Sequence, residues 1–109
     1  MYRATTPTHA FRFPDAADSY HVIEVTYKQK GKEILTKVYE DETLPSGMTF
    51  DENVMYIKLT QEETNLFENG FADVQVRVMT DGADVFASSH KSFEVVSVNS
   101  DEVLEWSHK

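Results

Sequence analysis

Two adjacent glutamates, Glu62 and Glu63, lie where the alternation of apolar and polar residues stops abruptly. Two carboxylates side by side are candidates for catalysis or for metal binding. Paired carboxylates act in general acid–base catalysis or bind metal ions. Neighbouring residues of a helix, however, point about 100° apart, so these two side chains would converge poorly on one atom. Thr60 is a good N-cap, and Glu63 follows it at the spacing of a capping box. The pattern therefore predicts a capped helical corner instead of an active site.

The histidines could ligate a metal only if several strands brought them together, because none has a partner at the short spacing of a zinc motif. They are His9, His21, His90 and His108. Cysteine is absent, which excludes disulfides, thiolate zinc sites and cysteine nucleophiles. The sequence predicts no metal site, and no glycine-rich phosphate loop indicates a cofactor.

Three other short segments invite a functional interpretation. Ser88, Ser89 and His90 could suggest a nucleophile and a base, but no Gly-x-Ser-x-Gly elbow surrounds them, and a strand bulge or break is the preferred prediction. Asp81–Asp84 resembles the start of a calcium loop but lacks the later ligands, so a tight turn at Asp81 and Gly82 is preferred. The acidic Tyr39–Thr43 could attract a cation or a basic partner, although a solvated loop is the commoner meaning. We predict no catalytic residues and no enzymatic activity.

Aromatic residues are the remaining candidates for contact with a partner. Some of the five tyrosines must lie near the surface of so small a domain, where they would suit protein or sugar contacts. Core packing is the default for each of them singly. The residues concerned are Tyr2, Tyr20, Tyr27, Tyr39, Tyr56 and Trp106.

Length and composition limit the class of protein. The 109 residues suit one domain over 1–109, with a flexible lead at 1–7 and a flexible tail at 99–109. The net charge of −9, without any run of lysine or arginine, argues against nucleic-acid binding. No apolar stretch has the length of a signal peptide or a membrane span, so we expect a soluble protein without a membrane partner.

The elements that must position these residues are mostly strands, because the apolar residues recur with a period of two. Inward faces are predicted for Ile23, Val25 and Tyr27, for Met55, Ile57 and Leu59, and for Val74, Val76 and Val78. A hairpin is expected around Gly31, and one short helix over about 61–68, with Leu66 and Phe67 closing the end of the core and Gly70 stopping the helix. About seven strands at regular spacing predict an all-β sandwich or a small barrel.

The segment from strand "NVMYIKL" through "TQEETNLFENG" to "FADVQVRVMTDG" resembles the corresponding part of immunoglobulin-like sandwiches. Their corner often reads Leu-x-x-Glu-Asp/Glu-Thr, and Leu59, Glu62, Glu63 and Thr64 stand here in that order. The resemblance implies an immunoglobulin-like β-sandwich. The chain departs from that group in lacking the cysteine pair with its tryptophan, and in a hairpin at Gly31 where a cross-sheet connection is usual.

Nearly the whole chain resembles small proteins encoded by phages and prophages of Gram-positive bacteria. The resemblance is carried by "TPTHAFRFP", "VTYKQKGKEIL", "LTQEETNLF", "VQVRVMTDG" and "DEVL", and the layout is similar to the N-terminal domain of phage baseplate upper proteins. It implies a non-enzymatic structural or accessory protein of the virion, tail or baseplate. Such a protein would lie in the virion, or in the bacterial cytoplasm during expression.

Two functions follow as hypotheses. The first is protein–protein association, with itself as a homo-oligomer or with other virion proteins, through unpaired strand edges and exposed tyrosines. The alternative is a ligand-binding module, for carbohydrate in particular, that would use surface aromatics and the acidic loop at Glu40, Asp41 and Glu42.

If Glu63 serves as part of a capping box, the substitution Glu63→Ala should lower the free energy of unfolding by about 1 kcal/mol. Thermal or urea denaturation measures that loss. An unchanged unfolding curve would contradict the capping interpretation.

Overall fold

The computed structural model describes residues 1–88, 90–100 and 102–104. The strands in this part of the chain are β1 (Thr8–Arg12), β2 (Val22–Gln29), β3 (Lys32–Glu40), β4 (Met48–Asp51), β5 (Val54–Lys58), β6 (Gly70–Met79), β7 (Val85–Ala87) and β8 (Lys91–Val95), and the helix α1 covers Gln61–Thr64. Within those described ranges, no helix is long and apolar enough to cross a membrane.

The strands form two antiparallel sheets. The first sheet has the order β1-β5-β4, and the second has the order β3-β2-β6, with both β7 and β8 paired to β6. In the second sheet, β2 and β6 pair along most of their length, from Val22 opposite Met79 to Lys28 opposite Asp73. The prediction of an all-β sandwich is confirmed.

The core lies between the sheets and follows the predicted alternation. Ile23, Val25 and Tyr27 of β2 are fully buried, as are Met55, Ile57 and Leu59 on and beyond β5. Complete burial of one such aliphatic side chain stabilises a fold by about 1.5–3 kcal/mol. The inward residues of β6 keep a small exposure, with Val78 at 9%. These valines line an opening between the sheets on the side where β1 faces β7.

The strand order is that of a variable-type immunoglobulin sandwich. In that fold, one sheet runs D-E-B-A and the other runs C″-C′-C-F-G. Here β4, β5 and β1 occupy positions D, E and B, and β3, β2 and β6 occupy positions C′, C and F. Strands β7 and β8 both pair with β6 and together occupy position G. A parallel bridge from Tyr2 to Val96 adds a short contact of the lead to the last strand. The predicted immunoglobulin-like fold is therefore confirmed by topology.

The hairpin at Gly31 agrees with this topology, so it is not the departure from immunoglobulin-like sandwiches that the sequence suggested. Gln29 pairs with Lys32, so the turn consists of Lys30 and Gly31, whose φ angles are 54° and 76°. Two positive φ values at the centre of a two-residue loop are typical of a type I′ hairpin. The variable-type sandwich has a C–C′ hairpin at this place, which resolves the discrepancy.

The helical corner is confirmed in position and wrong in length. Both reciprocal bonds of the capping box are present, but α1 ends at Thr64 instead of near residue 68. Tighter bonds then continue the chain, from the N–H of Leu66 to the carbonyl of Glu63 at 3.1 Å and from Phe67 to Thr64 at 3.3 Å. Because the helix stops after one turn, Phe67 enters the core while Leu66 remains 54% exposed. The prediction that Leu66 also closes the core is wrong.

The break in the last strand is confirmed, whereas the preceding turn differs from its prediction. Ala87 pairs with Arg77 and Lys91 with Val74, so two residues of β6 oppose three positions of the other strand, as in a β-bulge. Ser89 lies outside the described residues. The β6–β7 connection is a five-residue loop closed by the Thr80 N–H and the Asp84 carbonyl at 2.9 Å, with Ala83, and not Gly82, at positive φ. A two-residue Asp-Gly turn is therefore wrong.

The lead pairs with the end of β8. The N–H of Arg3 donates to the carbonyl of Val96 at 3.0 Å, and the N–H of Val96 donates to the carbonyl of Met1 at 2.8 Å. Flexibility of residues 1–7 and 99–109 stays a prediction. Trp106 and His108 lie outside the described residues.

Gly47 is a position where only glycine fits, and this can be tested. Its φ is +82°, and a Cβ atom there would lie 2.3 Å from the Lys58 carbonyl oxygen. Gly31 is a matched control, because its φ is +76° and a Cβ atom would meet nothing within 4 Å. We expect Gly31→Ala to cost about 1–2 kcal/mol of unfolding free energy, and Gly47→Ala roughly 1–3 kcal/mol more, because only the latter adds a backbone clash. Equal losses in urea denaturation would contradict this account.

Candidate functional site

Glu63 does more than cap the helix, because its carboxylate also pairs with a lysine inside the sandwich. The Lys37 Nζ lies 2.7 Å from Glu63 Oε2, and the two side chains are only 5% and 18% exposed. The same ammonium donates to the Ser46 carbonyl at 2.6 Å. The other carboxylate oxygen, Glu63 Oε1, accepts from the Thr60 N–H at 2.9 Å. One buried ion pair thus joins β3, the loop before β4 and the corner at α1.

The electrostatics of Glu63 follow from this geometry. Burial by itself would raise the pKa of the Glu63 carboxyl, but hydrogen bonds from Lys37 and Thr60, together with the charge of Lys37, hold that pKa below its ordinary value. The carboxylate is therefore ionised at neutral pH and has both oxygens engaged. A carboxylate so occupied supplies an anchor between structural elements and not a base for catalysis.

A second polar contact lies inside the core between β1 and β2. His9 Nδ1 and the Tyr27 hydroxyl are 2.7 Å apart, and the Tyr27 side chain is fully buried. Burial, and then the charge of Glu63, raise the pKa of the Tyr27 phenol, while burial and the N-terminal ammonium lower the pKa of His9. Both groups are thus held neutral, as partners of one hydrogen bond. Phe67 and Phe93 pack around them, with ring centroids 5.9 and 6.2 Å from that of Tyr27.

An acidic hollow opens at the end of the sandwich where three loops meet. It has a volume of about 500 Å³ and is lined by Asp18, Ser19, Tyr20, His21, Tyr39, Asp41, Glu42 and Asp81. Asp41 and Glu42 both have positive φ, in a turn closed by the Thr43 N–H and the Glu40 carbonyl at 2.9 Å. The predicted acidic loop is therefore a tight turn at the rim of this hollow. Its charge would attract cationic groups from solution.

A larger apolar cleft opens between the sheets on the side where β1 faces β7 and β8. Its volume is about 570 Å³. The apolar part of its lining consists of Phe11, Phe13, Pro14, Tyr20, Val74, Val76, Val78, Phe86 and Ala87. Phe86 is 59% exposed, which is high for a side chain that faces the interior of a sandwich. The cleft explains why the inward valines of β6 keep residual exposure.

An apolar stripe also crosses the solvent face of the second sheet. Val22, Met79 and Val85 stand opposite one another on β2, β6 and β7, and Val38 of β3 lies diagonally beside Val22. Val85 is 53% exposed and Val38 is 39% exposed. We call these four residues the outer stripe. Alternation normally places polar side chains on such a face, so the outer stripe marks a surface that water solvates poorly.

Those of the singled-out residues that the structure describes are not assembled into a catalytic centre. Glu62 is exposed, while Glu63 is turned inward to Lys37. His90 pairs with Asp73 at 2.6 Å, whereas the Ser88 hydroxyl accepts from the Val76 N–H at 3.0 Å, so this serine and histidine have different partners. Across the described ranges, no group of three or more histidine, aspartate or glutamate side chains is placed to hold a metal ion.

The tyrosines lie deeper than expected for a contact surface. Tyr20, Tyr27 and Tyr39 are each less than a tenth exposed, and Tyr2 is 58% exposed. Exposed apolar surface comes instead from residues such as Phe71 and Phe86. Sequence reasoning also missed Lys37. Lys37 lies two residues before Tyr39 on β3, so both side chains point into the sandwich. This two-residue spacing from an aromatic residue was the available signal for a buried lysine.

Comparison with known proteins adds no functional assignment. No protein-family model matches the chain, and no curated protein matches it. Among solved structures, the V domain of amphioxus IgVJ-C2 is similar at 15% identity and a TM-score of 0.34, over 88% of this chain and 95% of that one. A TM-score of this size supports no argument, so the fold assignment rests on the strand order above.

Because Glu63 both caps the helix and pairs with Lys37, its substitution should lower the free energy of unfolding more than the loss of the cap alone. Thr60→Ala removes the capping hydroxyl and should cost about 1 kcal/mol of unfolding free energy. Glu63→Ala also leaves the buried Lys37 ammonium unpaired, and should cost about 3–5 kcal/mol at pH 7. Urea denaturation of both variants measures the difference. Equal losses would show that the ion pair contributes nothing.

The pH dependence provides a second readout. The pKa of Glu63 in the folded state lies below its ordinary value of 4.5. The ionised Glu63 therefore contributes fully to folding stability above pH 4.5, and this contribution is lost as the pH falls through the folded-state pKa. The gap in stability between wild type and Glu63→Gln should therefore shrink below about pH 4.5. A gap that is constant from pH 7 to pH 3 would contradict the assignment.

Proposed function

We propose that this protein is a non-enzymatic association module, and that it self-associates through the outer stripe. The observation that supports this proposal is the row of apolar side chains, Val22, Met79 and Val85, on a sheet face where polar residues are expected. Self-association would remove this row from water, and burial of apolar area is the main favourable term in such contacts.

The surroundings of the outer stripe suit a symmetric contact. Glu24 and Arg77 form an ion pair at 3.0 Å next to the stripe, on the same face. An apolar centre with a polar, charged rim is the common composition of protein interfaces. In a two-fold dimer, each stripe would pack against its copy, because the same patch serves both subunits.

The biological setting of the proposal comes from the sequence resemblance. It is that of a structural or accessory protein of a phage, as a component of the virion, tail or baseplate, located in the virion or in the bacterial cytoplasm during expression. A domain that contacts copies of itself and neighbouring proteins fits repeated assemblies of that kind. Mass spectrometry of purified virions tests this setting, and absence of the protein from them would remove the virion role.

Carbohydrate binding remains the alternative, with less support. It depends on aromatic rings that can lie against a sugar, and the rings of Tyr20 and Tyr39 beside the acidic hollow are only 8% and 4% exposed. The exposed carboxylates of Asp41 and Glu42 could still accept hydrogen bonds from sugar hydroxyls. A glycan array with saturable binding would favour this alternative over association.

Sedimentation analysis of a charge variant tests self-association through the outer stripe. We expect the wild-type protein to sediment as a dimer at high concentration, and Val85→Lys to shift it to monomer, because a charge at the interface must be desolvated. Phe71→Lys is the matched control, since Phe71 is on the solvent face at the opposite end of β6 and is 72% exposed. It should leave the dimer intact.

Two results would contradict the proposal. One is a wild-type protein that stays monomeric at millimolar concentration. The other is a dimer that Val85→Lys and Phe71→Lys weaken equally, because the contact would then not depend on the outer stripe.

A further inference from the structure

The apolar cleft opens on the face of the second sheet that is directed toward the first sheet, so it is separate from the outer stripe. Val74, Val76 and Val78 of β6 line the cleft, whereas Met79 belongs to the outer stripe. The volume of about 570 Å³ and the mostly apolar lining are typical of small-molecule sites, which span roughly 300–1,000 Å³. The cleft therefore has the size and the lining of a site for a small apolar compound.

An aromatic ring and an ammonium group lie at the two ends of this row of valines. Phe86 pairs with Val78, and Lys91 pairs with Val74. Residues directly opposite each other in an antiparallel pair point to the same face, so both side chains are directed toward the first sheet. Val74 and Val78 are separated by about 13–14 Å along β6, at about 3.4 Å per residue. The cleft is thus apolar along its length and cationic at one end.

Lys91 has no carboxylate partner within the described part of the chain. The nearest acidic residue in the strand register, Asp73, is directed to the opposite face of the sheet and pairs with His90 at 2.6 Å. Arg12 adds a second positive charge to the lining of the cleft. A cation at the edge of an apolar surface attracts a carboxylate more strongly than a cation in open water does. The charge at this end of the cleft therefore selects for an anionic group.

Asp15 is the single carboxylate of the lining, and it lies at the other end of the cleft. Burial, and then the charge of Asp15, raise the pKa of the Tyr20 phenol, which places Asp15 beside Tyr20. The next residue, His21, donates its N–H to the Met79 carbonyl at 2.8 Å, at the end of β6 that is distant from Lys91. Asp15 therefore does not neutralise Lys91.

We infer that the cleft binds a free carboxylic acid with an alkyl chain of about eight to ten carbons. The carboxylate accepts hydrogen bonds from the Lys91 ammonium, and the chain lies along Val74, Val76 and Val78 with its end against Phe86. An extended chain with C–C bonds of about 1.5 Å then covers most of the row of valines. Burial of the chain supplies affinity, and Lys91 supplies selectivity for the acid.

Two ligands of equal chain length test the inference. Octanoate is the probe, octanol is its neutral control, and both are used below the concentration at which octanoate forms micelles. We expect saturable binding of octanoate, measured by NMR amide shifts at Phe11, Val76 and Phe86. Octanoate should bind about fivefold more tightly than octanol, which is the upper end for an ion pair at the edge of solvent.

Removal of the charge on Lys91 separates selectivity from folding. Lys91→Met keeps an apolar side chain of similar length, so octanoate should bind as weakly as octanol while octanol binding is unchanged. Lys28→Met is the matched control, because Lys28 is exposed on the outer face of the same sheet, opposite Asp73. It should keep the preference for octanoate. Unchanged octanol binding shows that the cleft of Lys91→Met is intact.

Truncation of the ring at the other end tests the position of the chain. Phe86→Ala should weaken octanoate and octanol alike, by about threefold or more, because both chains lose the same apolar contact. Phe86 is 59% exposed, so its loss removes little packing from the core. Phe71→Ala is the control, since Phe71 is 72% exposed and does not line the cleft. It should leave the binding of both ligands unchanged.

Several outcomes would overturn the inference. They are the absence of saturable binding, equal affinity of wild type for octanoate and octanol, a Lys91→Met variant that keeps the preference for octanoate, and shift changes confined to the acidic hollow or the outer stripe. None of these outcomes bears on the sedimentation experiment. A dimer that forms through the outer stripe while the cleft binds no octanoate would leave the proposed function intact and remove this inference alone.

Discussion

The buried ion pair between Lys37 and Glu63 is the constraint on which the arrangement of the sandwich depends. An ammonium taken out of water is costly unless it is paired and its hydrogen bonds are satisfied. Lys37 meets that requirement only when the corner at Glu63 and the loop at Ser46 are both in place. The strand β3, the loop that follows it and the corner at α1 are thereby held to one geometry. The pair fixes where these segments meet, and the apolar core supplies most of the free energy.

The two long sides of the sandwich are closed to different extents. On the side of β3 and β4, polar contacts of Lys37 close the space between the sheets. On the side of β1 and β7, the lead closes only the end near Val96, and the apolar cleft remains above it. Both sides end in edge strands, β3 and β4 on one and β1 and β7 on the other, so the sides differ in what fills the space between the sheets.

Much of the fold follows from the sequence, because period-two patterns and capping are local. The inward faces of β2, β5 and β6, the capping box at Thr60 and Glu63, and the bulge near Ser88 all depend on neighbouring residues. What could not be predicted depends on contacts between distant segments. The burial of Lys37 requires Glu63 to arrive from another part of the chain, and the short length of α1 requires Phe67 to be drawn into the core. The cleft has no sequence signature, because it exists where none of the described strands pairs with the free edge of β1.

A double-mutant cycle on the ion pair tests the account most directly. The unfolding free energies of wild type, Lys37→Met, Glu63→Gln and the double variant would be measured by urea denaturation at pH 7. If the buried pair joins the segments as described, the double variant loses less than the sum of the single losses, by about 2 kcal/mol or more. Losses that add within about 0.5 kcal/mol would show that Lys37 and Glu63 act independently, and would contradict the account.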